Sequence, residues 1–294
     1  MDPVISALLR SWEWRADVLV PLVLTLTFYG LGWKRIRSVS SGCSGGRLQS
    51  LGSGWRLTTY LVGCFLVALA LLSPLEVLSG QLFFMHMIQH LFLVMCAPPL
   101  LLMSNPFPVL LWGMPSGIRR WVGSGFCRHA SFRRALVLLT RPGLVWLYFV
   151  VLYVGWHDPA AYDAALRSDI IHDIEHLSFF VASLLYWWHV TAAGPRVHAG
   201  FHYGWRIAYL LVTVPVNMLI GIVITFARQP IYHYYTEVPR PWNLSVMEDQ
   251  MLGGVIMWIP GSMMLLIAVL VIVARILGGQ GRRPAKMSVA GIGS

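Results

Sequence analysis

Long runs of apolar residues, separated by short polar segments, dominate the chain. A helix that spans a bilayer needs about 20 mostly apolar residues, so each run is a candidate span. The pattern predicts seven transmembrane helices, at roughly Ala16–Trp33, Trp55–Leu72, Gly80–Met103, Val137–Trp156, Asp169–Val190, Trp205–Phe226 and Glu248–Leu277. A composition that is 57% hydrophobic and 12% charged excludes an ordinary soluble domain. We therefore predict an all-α, polytopic membrane helical bundle that forms a single integral membrane domain over residues 1–294.

The distribution of charged residues predicts how this bundle is oriented. The loops after the first, third and fifth spans and the C-terminal tail carry 17 of the 22 Lys and Arg residues. All twelve Asp and Glu residues fall on the other side. Because positively charged loops stay in the cytoplasm, the N-terminus is predicted to be outside and the C-terminus cytoplasmic. The net charge of +10 reflects this asymmetry, so it indicates membrane topology and not nucleic-acid binding.

The segments between the spans differ in composition. Two tryptophans in residues 1–15 are typical of an external interfacial segment, and the Ser/Gly-rich residues 38–54 are typical of a flexible cytoplasmic loop. Residues 104–140 are predicted to form a long cytoplasmic connection, and residues 278–294 a disordered tail. Pro98-Pro99 is predicted to kink or end the third span. The third external loop has aromatic residues that we expect at the headgroup interface, namely Tyr232, Tyr234, Tyr235 and Trp242.

Two histidine pairs lie inside predicted spans, where ionisable groups are costly and usually functional. His86 and His90 belong to the third span, and His172 and His176 to the fifth. In each pair the residues are four apart, so both imidazoles project from one helix face. The two spans begin on the same side of the membrane, which places both pairs in the outer leaflet. Five further histidines lie in loops or at span ends and are expected to be structural: His157, His189, His198, His202 and His233.

Carboxylates accompany the histidines at the same level of the membrane. Glu175 lies between the histidines of the fifth span, where the third span has Gln89. Imidazole binds copper, zinc and iron, and nearby sulfur ligands would favour Cu(I). The sulfur side chains close in sequence are Met85, Met87, Met95, Cys96 and Met251, although methionine is also a common core filler. The leading hypothesis is a copper site, with zinc as the alternative metal. Its candidate ligands are His86, His90, His172, Glu175, His176, Glu248 and Asp249.

Two other functions remain open on the sequence alone. The run from His172 to His176 matches H-x-x-E-H, the signature of a zinc peptidase class. It would make the chain an intramembrane metallohydrolase, with Glu248 or Asp249 as a further ligand. Alternatively, histidines of the third and fifth spans could be the axial ligands of a haem in an electron carrier. The hydrolase leaves the His86 pair without a role, and paired histidines on each helix suit a compact metal site better than a porphyrin.

Several short motifs follow one another in a fixed order along the spans. They are Ser73-Pro74-Leu75; His86-Met87-Ile88-Gln89-His90 with Ala97-Pro98-Pro99; His172-x-x-Glu175-His176 with Trp187-Trp188; and Glu248-Asp249-Gln250-x-x-Gly253-Gly254-x-x-Met257-Trp258-x-Pro260-Gly261. From about Val18 to Leu277, the chain resembles the multi-spanning CtaG family of cytochrome c oxidase assembly factors. That family usually reads Pro-Leu before Glu-Asp-Gln, where this chain has Val246-Met247.

The resemblance implies a role in the maturation of a haem–copper cytochrome c oxidase, by handling copper for its external or membrane-embedded centres. We expect a multi-pass protein of the bacterial plasma membrane that binds copper in the outer leaflet and is not an enzyme. Its expected partners are the lipid bilayer, subunits of the oxidase and other copper chaperones, with no nucleic acid.

Overall fold

The computed structural model describes residues 11–40, 47–128, 130–193 and 201–280. Every regular element in these residues is helical, which confirms the all-α prediction. The first half contains α1 (Ala16–Ser40), α2 (Arg47–Leu51), α3 (Gly54–Leu72), α4 (Pro74–Ser79), α5 (Phe83–His90), a π segment (Leu91–Cys96), α6 (Ala97–Met103), α7 (Pro106–Gly113), α8 (Ser116–Arg128) and α9 (Ala130–Leu139). The second half contains α10 (Pro142–Trp156), α11 (Pro159–Leu166), α12 (Asp169–Thr191), α13 (Tyr203–Thr225), α14 (Tyr234–Glu237), a short 3-10 turn (Pro241–Asn243) and α15 (Val246–Gln280).

The predicted terminal and linker segments fall partly outside the described residues. Trp12 and Trp14, which precede α1, are exposed. The predicted parts that lie outside the described residues are 1–10 of the external segment, 41–46 of the cytoplasmic loop, 281–294 of the tail, and His198.

Within the described residues, five helical stretches are long and apolar enough to cross a membrane: Ala16–Ser40, Leu48–Leu72, Phe83–Met103, Tyr203–Thr225 and Val246–Gly278. A sixth candidate exists if α9 and α10, which meet at an angle of 57°, form one broken span. The chain is thus a multi-pass membrane protein, and the predicted count of seven spans is not confirmed. The difference lies in α12, a 23-residue helix that carries three acids and three histidines and is not among these candidates.

The third span continues past the prolines at which the sequence predicts a kink or an end. The π segment follows α5 directly, and α6 follows the π segment without a break. At their junction the amide of Ala97 donates to the carbonyl of Phe92, five residues back. Pro98 and Pro99 have no amide hydrogen, so they cannot donate to the carbonyls of the preceding turn. The carbonyl of Val94, four residues before Pro98, instead accepts a hydrogen bond from Nε1 of Trp187 at 3.0 Å. The span therefore stays helical, while the π turn changes which residues face the bundle interior.

Residues 104–140, expected to be one long connection, consist largely of the three helices α7, α8 and α9. Of these, α7 packs tightly against α1 through two glycines. A Cβ on Gly113 would overlap the carbonyl oxygen of Phe28, and a Cβ on Gly32 would overlap the carbonyl oxygen of Val109. The two backbones can approach this closely only because both positions lack a side chain.

Glycines also set the position of α15 relative to its neighbours. A Cβ on Gly221 of α13 would lie 2.6 Å from the Cβ of Trp258, and one on Gly254 would lie 2.9 Å from the carbonyl oxygen of Gly221. Next to them, Gly253 leaves room for the ring of Phe83 at the start of α5. Small residues of this kind let membrane helices pack backbone to backbone. The start of α15 is thereby brought against the start of α5, where the candidate site lies.

Candidate metal centre

An acid from another helix fixes the N-terminus of α5. The backbone amides of Phe83 and Phe84 each donate to the carboxylate of Asp249 at 2.9 Å. Arg240 approaches the same carboxylate at 3.3 Å. The two amide bonds satisfy donors that the start of a helix leaves free. They also hold the histidine-bearing helix in a defined position against α15.

The four histidines of the two predicted pairs meet in space. His86 and His90 lie one turn apart on α5, with their Nε2 atoms 2.8 Å from each other. The ring centroid of His172 on α12 is 5.2 Å from that of His86. The ring centroid of His176 is 5.8 Å from that of His86 and 5.3 Å from that of His90. The starts of α5 and α12 therefore lie at the same end of the bundle.

The candidate ligand atoms form two overlapping groups. One ring nitrogen from each of His86, His172 and His176 lies within 4.8 Å of the others. The same holds for His86, His90 and a carboxylate oxygen of Glu175. The Oε1 atom of Glu175 is 3.5 Å from Nε2 of His90, and its Oε2 atom is 3.9 Å from Nε2 of His86. His86 belongs to both groups and is the centre of the cluster.

The cluster is buried, yet several of its polar atoms are unsatisfied. His86 and Glu175 have 0% exposure, and His176 has 5%. Within the described residues, both oxygens of Glu175, both ring nitrogens of His176 and Nε2 of His172 have no hydrogen-bond partner. Buried polar groups are normally hydrogen-bonded, and buried charges are paired or coordinate metals. A bound metal ion would satisfy these atoms together.

A second carboxylate supports the cluster from α4. The Oε1 atom of Glu76 is 3.5 Å from Nδ1 of His172. Its other oxygen accepts a hydrogen bond from Gln89, which also donates to the carbonyl of Ala70 at 2.8 Å. Because Glu76 is largely removed from solvent, desolvation raises its pKa to about 7. The ligands and partners predicted from the sequence do not include Glu76. Its position just before the third span is the feature that could have indicated it.

Two tyrosines contact the opposite side of His86. Its Nδ1 atom is 2.8 Å from the hydroxyl of Tyr162 and 3.3 Å from that of Tyr235. The hydroxyl of Tyr235 donates to the carbonyl of Ser79 at 2.8 Å, so towards its other neighbours it is an acceptor. We assign the hydrogen of His86 to Nδ1, which then donates to the tyrosine oxygens. Its Nε2 atom then carries no hydrogen and directs its lone pair towards the cluster, as metal binding requires.

These contacts correct the expectation that the aromatic residues of the third external loop lie at the headgroup interface. Tyr232 and Tyr235 are each 2% exposed, whereas Trp242 is 48% exposed. The ring of Tyr232 stacks on that of Phe83, with centroids 4.9 Å apart. Only part of the loop therefore faces outward, and the two buried tyrosines, three residues apart, face the site.

Two of the predicted ligands, Glu248 and Asp249, belong to neither ligand group. Glu248 is exposed and accepts a hydrogen bond from the amide of Ser245 at 2.9 Å, which caps the start of α15. Asp249 is engaged by the amides of α5. Both carboxylates thus accept hydrogen bonds from backbone amides at helix starts. Met251, one of the sulfur side chains considered above, is 46% exposed and points away from the bundle interior.

The donor set that remains is chemically consistent with a transition metal. Four imidazoles and one carboxylate suit copper, zinc or iron. Metal-binding histidines usually have a carboxylate or another polar partner on the second ring nitrogen. Glu76 and the two tyrosines occupy such positions. The residues present therefore fit a bound metal ion.

Fold and cluster together define a class, a multi-pass helical membrane protein with a buried histidine–carboxylate centre. A family model described as cytochrome c oxidase caa3 assembly factor matches residues 27–278. The chain belongs to this family, as the motif resemblance implied. The matched region contains all the residues of the cluster.

Similarity also extends to longer proteins. An uncharacterized protein of Mycobacterium bovis and one of Mycobacterium tuberculosis are each 26% identical over 284 residues, which is 92% of this chain and 40% of theirs. An uncharacterized protein of Mycobacterium leprae is 24% identical over 241 residues, 78% of this chain and 36% of its own. The chain thus spans about 40% of the length of these curated relatives. No solved structure matches it.

Proposed function

We propose that the chain is a copper-handling assembly factor for a haem–copper cytochrome c oxidase. The observation that carries the proposal is the buried convergence of four histidines and Glu175, whose unsatisfied nitrogen and oxygen atoms lie within a few ångströms of one another. Family membership supports the link to oxidase assembly. Copper is then the cargo, held by the four imidazoles and the carboxylate, while Glu76 orients His172.

The surroundings of the cluster favour carriage of an ion over turnover of a substrate. The cavity that adjoins His90 has a volume of about 30 Å³, which admits a single ion or water but no peptide or porphyrin. In a zinc hydrolase, Glu175 would activate water on a metal held by His172 and His176. Its carboxylate instead groups with His86 and His90. These observations support the carrier over the intramembrane hydrolase and the haem-binding electron carrier.

The apolar spans and the family support a location in the bacterial plasma membrane. The charge distribution supports an orientation with the cluster in the outer leaflet. The cluster residues come from α5, which is the first part of the third span, and from the N-terminal half of α12, and these two helices begin at the same end of the bundle. Copper that arrives from outside would reach this end first. Other copper chaperones are the proposed donors, and the copper-containing subunits of the oxidase are the proposed recipients.

In a host that needs this chain for its oxidase, replacing both His86 and His90 with Ala should yield an oxidase without copper. The double replacement removes two of the nitrogen ligands and dismantles both ligand groups. The copper-to-haem ratio of the purified oxidase and cytochrome c oxidation by membranes measure the effect. His233→Ala, in an exposed loop, is the control, and immunoblots verify equal amounts of each variant. A copper-replete oxidase in cells with the double variant would contradict the proposal.

The orientation can be tested with reporters. A reporter fused after Ser294 is expected to be cytoplasmic, and one inserted within Arg228–Val246 is expected to be external. The reason is that basic residues concentrate in the loops predicted to be cytoplasmic. Paired fusions to alkaline phosphatase, active outside, and to a fluorescent protein, active inside, give the readout. A cytoplasmic signal from the inserted reporter would place the cluster in the inner leaflet.

A further inference from the structure

Three methionines line a small cavity beside the histidine cluster. Met87, Met95 and Met257 border its volume of about 30 Å³, and the rest of the lining is His90, His157, Tyr153, Asn217, Leu91, Val94, Phe179 and Gly261. The three methionines are 2%, 3% and 6% exposed, so they are as deeply buried as the cluster itself. They come from α5, the π segment and α15. Three methionines therefore line a space that fits one ion, and His90 of the metal centre lines it as well.

The π segment explains how Met95 reaches this cavity. In an α-helix, residues five apart point in different directions. In a π turn, each amide bonds to the carbonyl five residues earlier, and this brings residues five apart towards one face. His90 and Met95 are five apart and both line the cavity. Single π turns inside helices are frequent at functional sites, and this one lies in the span that carries the first histidine pair.

The other polar groups around the cavity are largely engaged within the protein. The hydroxyl of Tyr153 donates to Oδ1 of Asn217 at 2.5 Å, and Nδ2 of Asn217 donates to the carbonyl of Met257 at 3.1 Å. His157 donates through Nδ1 to the carbonyl of Tyr153. In contrast, Nδ1 of His90 is buried without a partner among the described residues. A buried water needs two to four polar partners, so this lining suits a soft ion better than a water.

We propose that the cavity is a second metal site, in which Met87, Met95 and Met257 hold Cu(I) that has passed through His90. The inference rests on the proposed function, because it takes copper to be the cargo. Thioether ligands select Cu(I), whereas imidazole also accepts zinc. His90 faces the cluster through Nε2 and has Nδ1 available for the cavity. Copper moves between the two sites by ligand exchange coupled to a tautomer change of His90: Nδ1 gives up its proton as it binds copper, and Nε2 takes one up as it releases copper. The copper stays Cu(I), so no electron donor or acceptor is required.

One ion uses the two sites in turn. A neutral imidazole carries a hydrogen on one of its ring nitrogens, so it offers a metal only the other. His90 therefore binds copper either on the cluster side or on the cavity side. The pair of sites thus serves transfer and not storage. Buried methionine ordinarily fills gaps in a core. Replacement by Leu separates this role from metal binding, because Leu has a similar volume but no sulfur.

The experiment compares Cu(I) and Zn(II) on the purified full chain in detergent, with Cu(I) kept reduced under anaerobic conditions. X-ray absorption of the Cu(I)-loaded protein should show sulfur neighbours around copper. The triple variant Met87→Leu/Met95→Leu/Met257→Leu should lose them and keep nitrogen neighbours. Zn(II) affinity, which reports on the histidine cluster, should be unchanged. Met251→Leu is the matched control, because Met251 lies on α15 like Met257 but is exposed. Its copper spectrum should match that of the original protein.

Two results would overturn the second site. One is a Cu(I) spectrum of the original protein that contains only nitrogen and oxygen neighbours. The other is a sulfur signal that survives in the triple variant. In either case, Zn(II) binding by the original protein would still support the histidine centre. If the original protein binds neither metal, the proposed function is refuted as well. If the triple variant unfolds, which thermal melting detects, Met257→Leu alone gives the same comparison through a reduced sulfur signal.

Discussion

Replacing His86 with Ala is expected to remove most of the copper from the purified protein. His86 contributes to both ligand groups, so its loss disrupts each of them. We expect copper affinity to fall by more than ~100-fold, because loss of a mere outer partner of a metal ligand already costs about 10–100-fold. Competition with a chromophoric chelator measures the affinity, and the copper-to-protein ratio after dialysis measures the occupancy.

The neighbouring histidines provide graded comparisons. His90→Ala and His172→Ala each remove a ligand from one group only, so we expect two similar and smaller losses of copper. His233→Ala should have no effect. His86 also contacts the hydroxyl of Tyr162, so thermal unfolding of each variant is needed to separate loss of metal from loss of fold. If copper stoichiometry is unchanged in folded variants at His86, His90 and His172, the site does not exist as described.

Much of the fold could be predicted because hydrophobic length is a local property. The sixth predicted span, Trp205–Phe226, corresponds closely to the observed helix Tyr203–Thr225. The π segment could not be foreseen, since it depends on how the chain accommodates Pro98-Pro99 within a packed bundle. The same is true of α7, whose place against α1 depends on the contact of Gly113 with the backbone of Phe28. Contacts between distant segments determine both features, and no local pattern reports them.

The candidate site, like the fold, could be predicted only in part from the sequence. A spacing of four residues is enough to place His86 and His90 on one helix face, and a shared direction of two helices was enough to expect their pairs at one level. The role of Asp249 was not accessible, because a carboxylate at a helix start can bind a metal or another helix equally well. Glu76 and Tyr162 lie in the connections between spans. Their approach to the cluster depends on loop positions that the sequence pattern does not encode.

Replacing Glu175 with Gln should weaken metal binding while leaving the fold intact. The carboxylate is fully buried and accepts no hydrogen bond within the described residues, so a cation between it and the imidazoles would compensate its charge. Gln is nearly isosteric but neutral, and its carbonyl oxygen is a weaker ligand. We expect copper affinity to fall by ~10–100-fold, as when a partner of a metal ligand is lost. Chelator competition measures the change.

Asp173→Asn is the matched control for Glu175→Gln. It makes the same change from acid to amide on α12, two residues earlier, where the carboxylate pairs with Arg15 at 2.6 Å and is 43% exposed. Copper affinity should be unchanged there, because an exposed ion pair is worth little and lies outside both ligand groups. A zinc hydrolase predicts a different result for Glu175→Gln, because the glutamate of an H-x-x-E-H motif activates water while the two histidines bind the zinc. Metal would be retained and peptide cleavage lost. Native copper affinity together with full oxidase assembly in the Glu175→Gln variant would show that the carboxylate takes no part in either function.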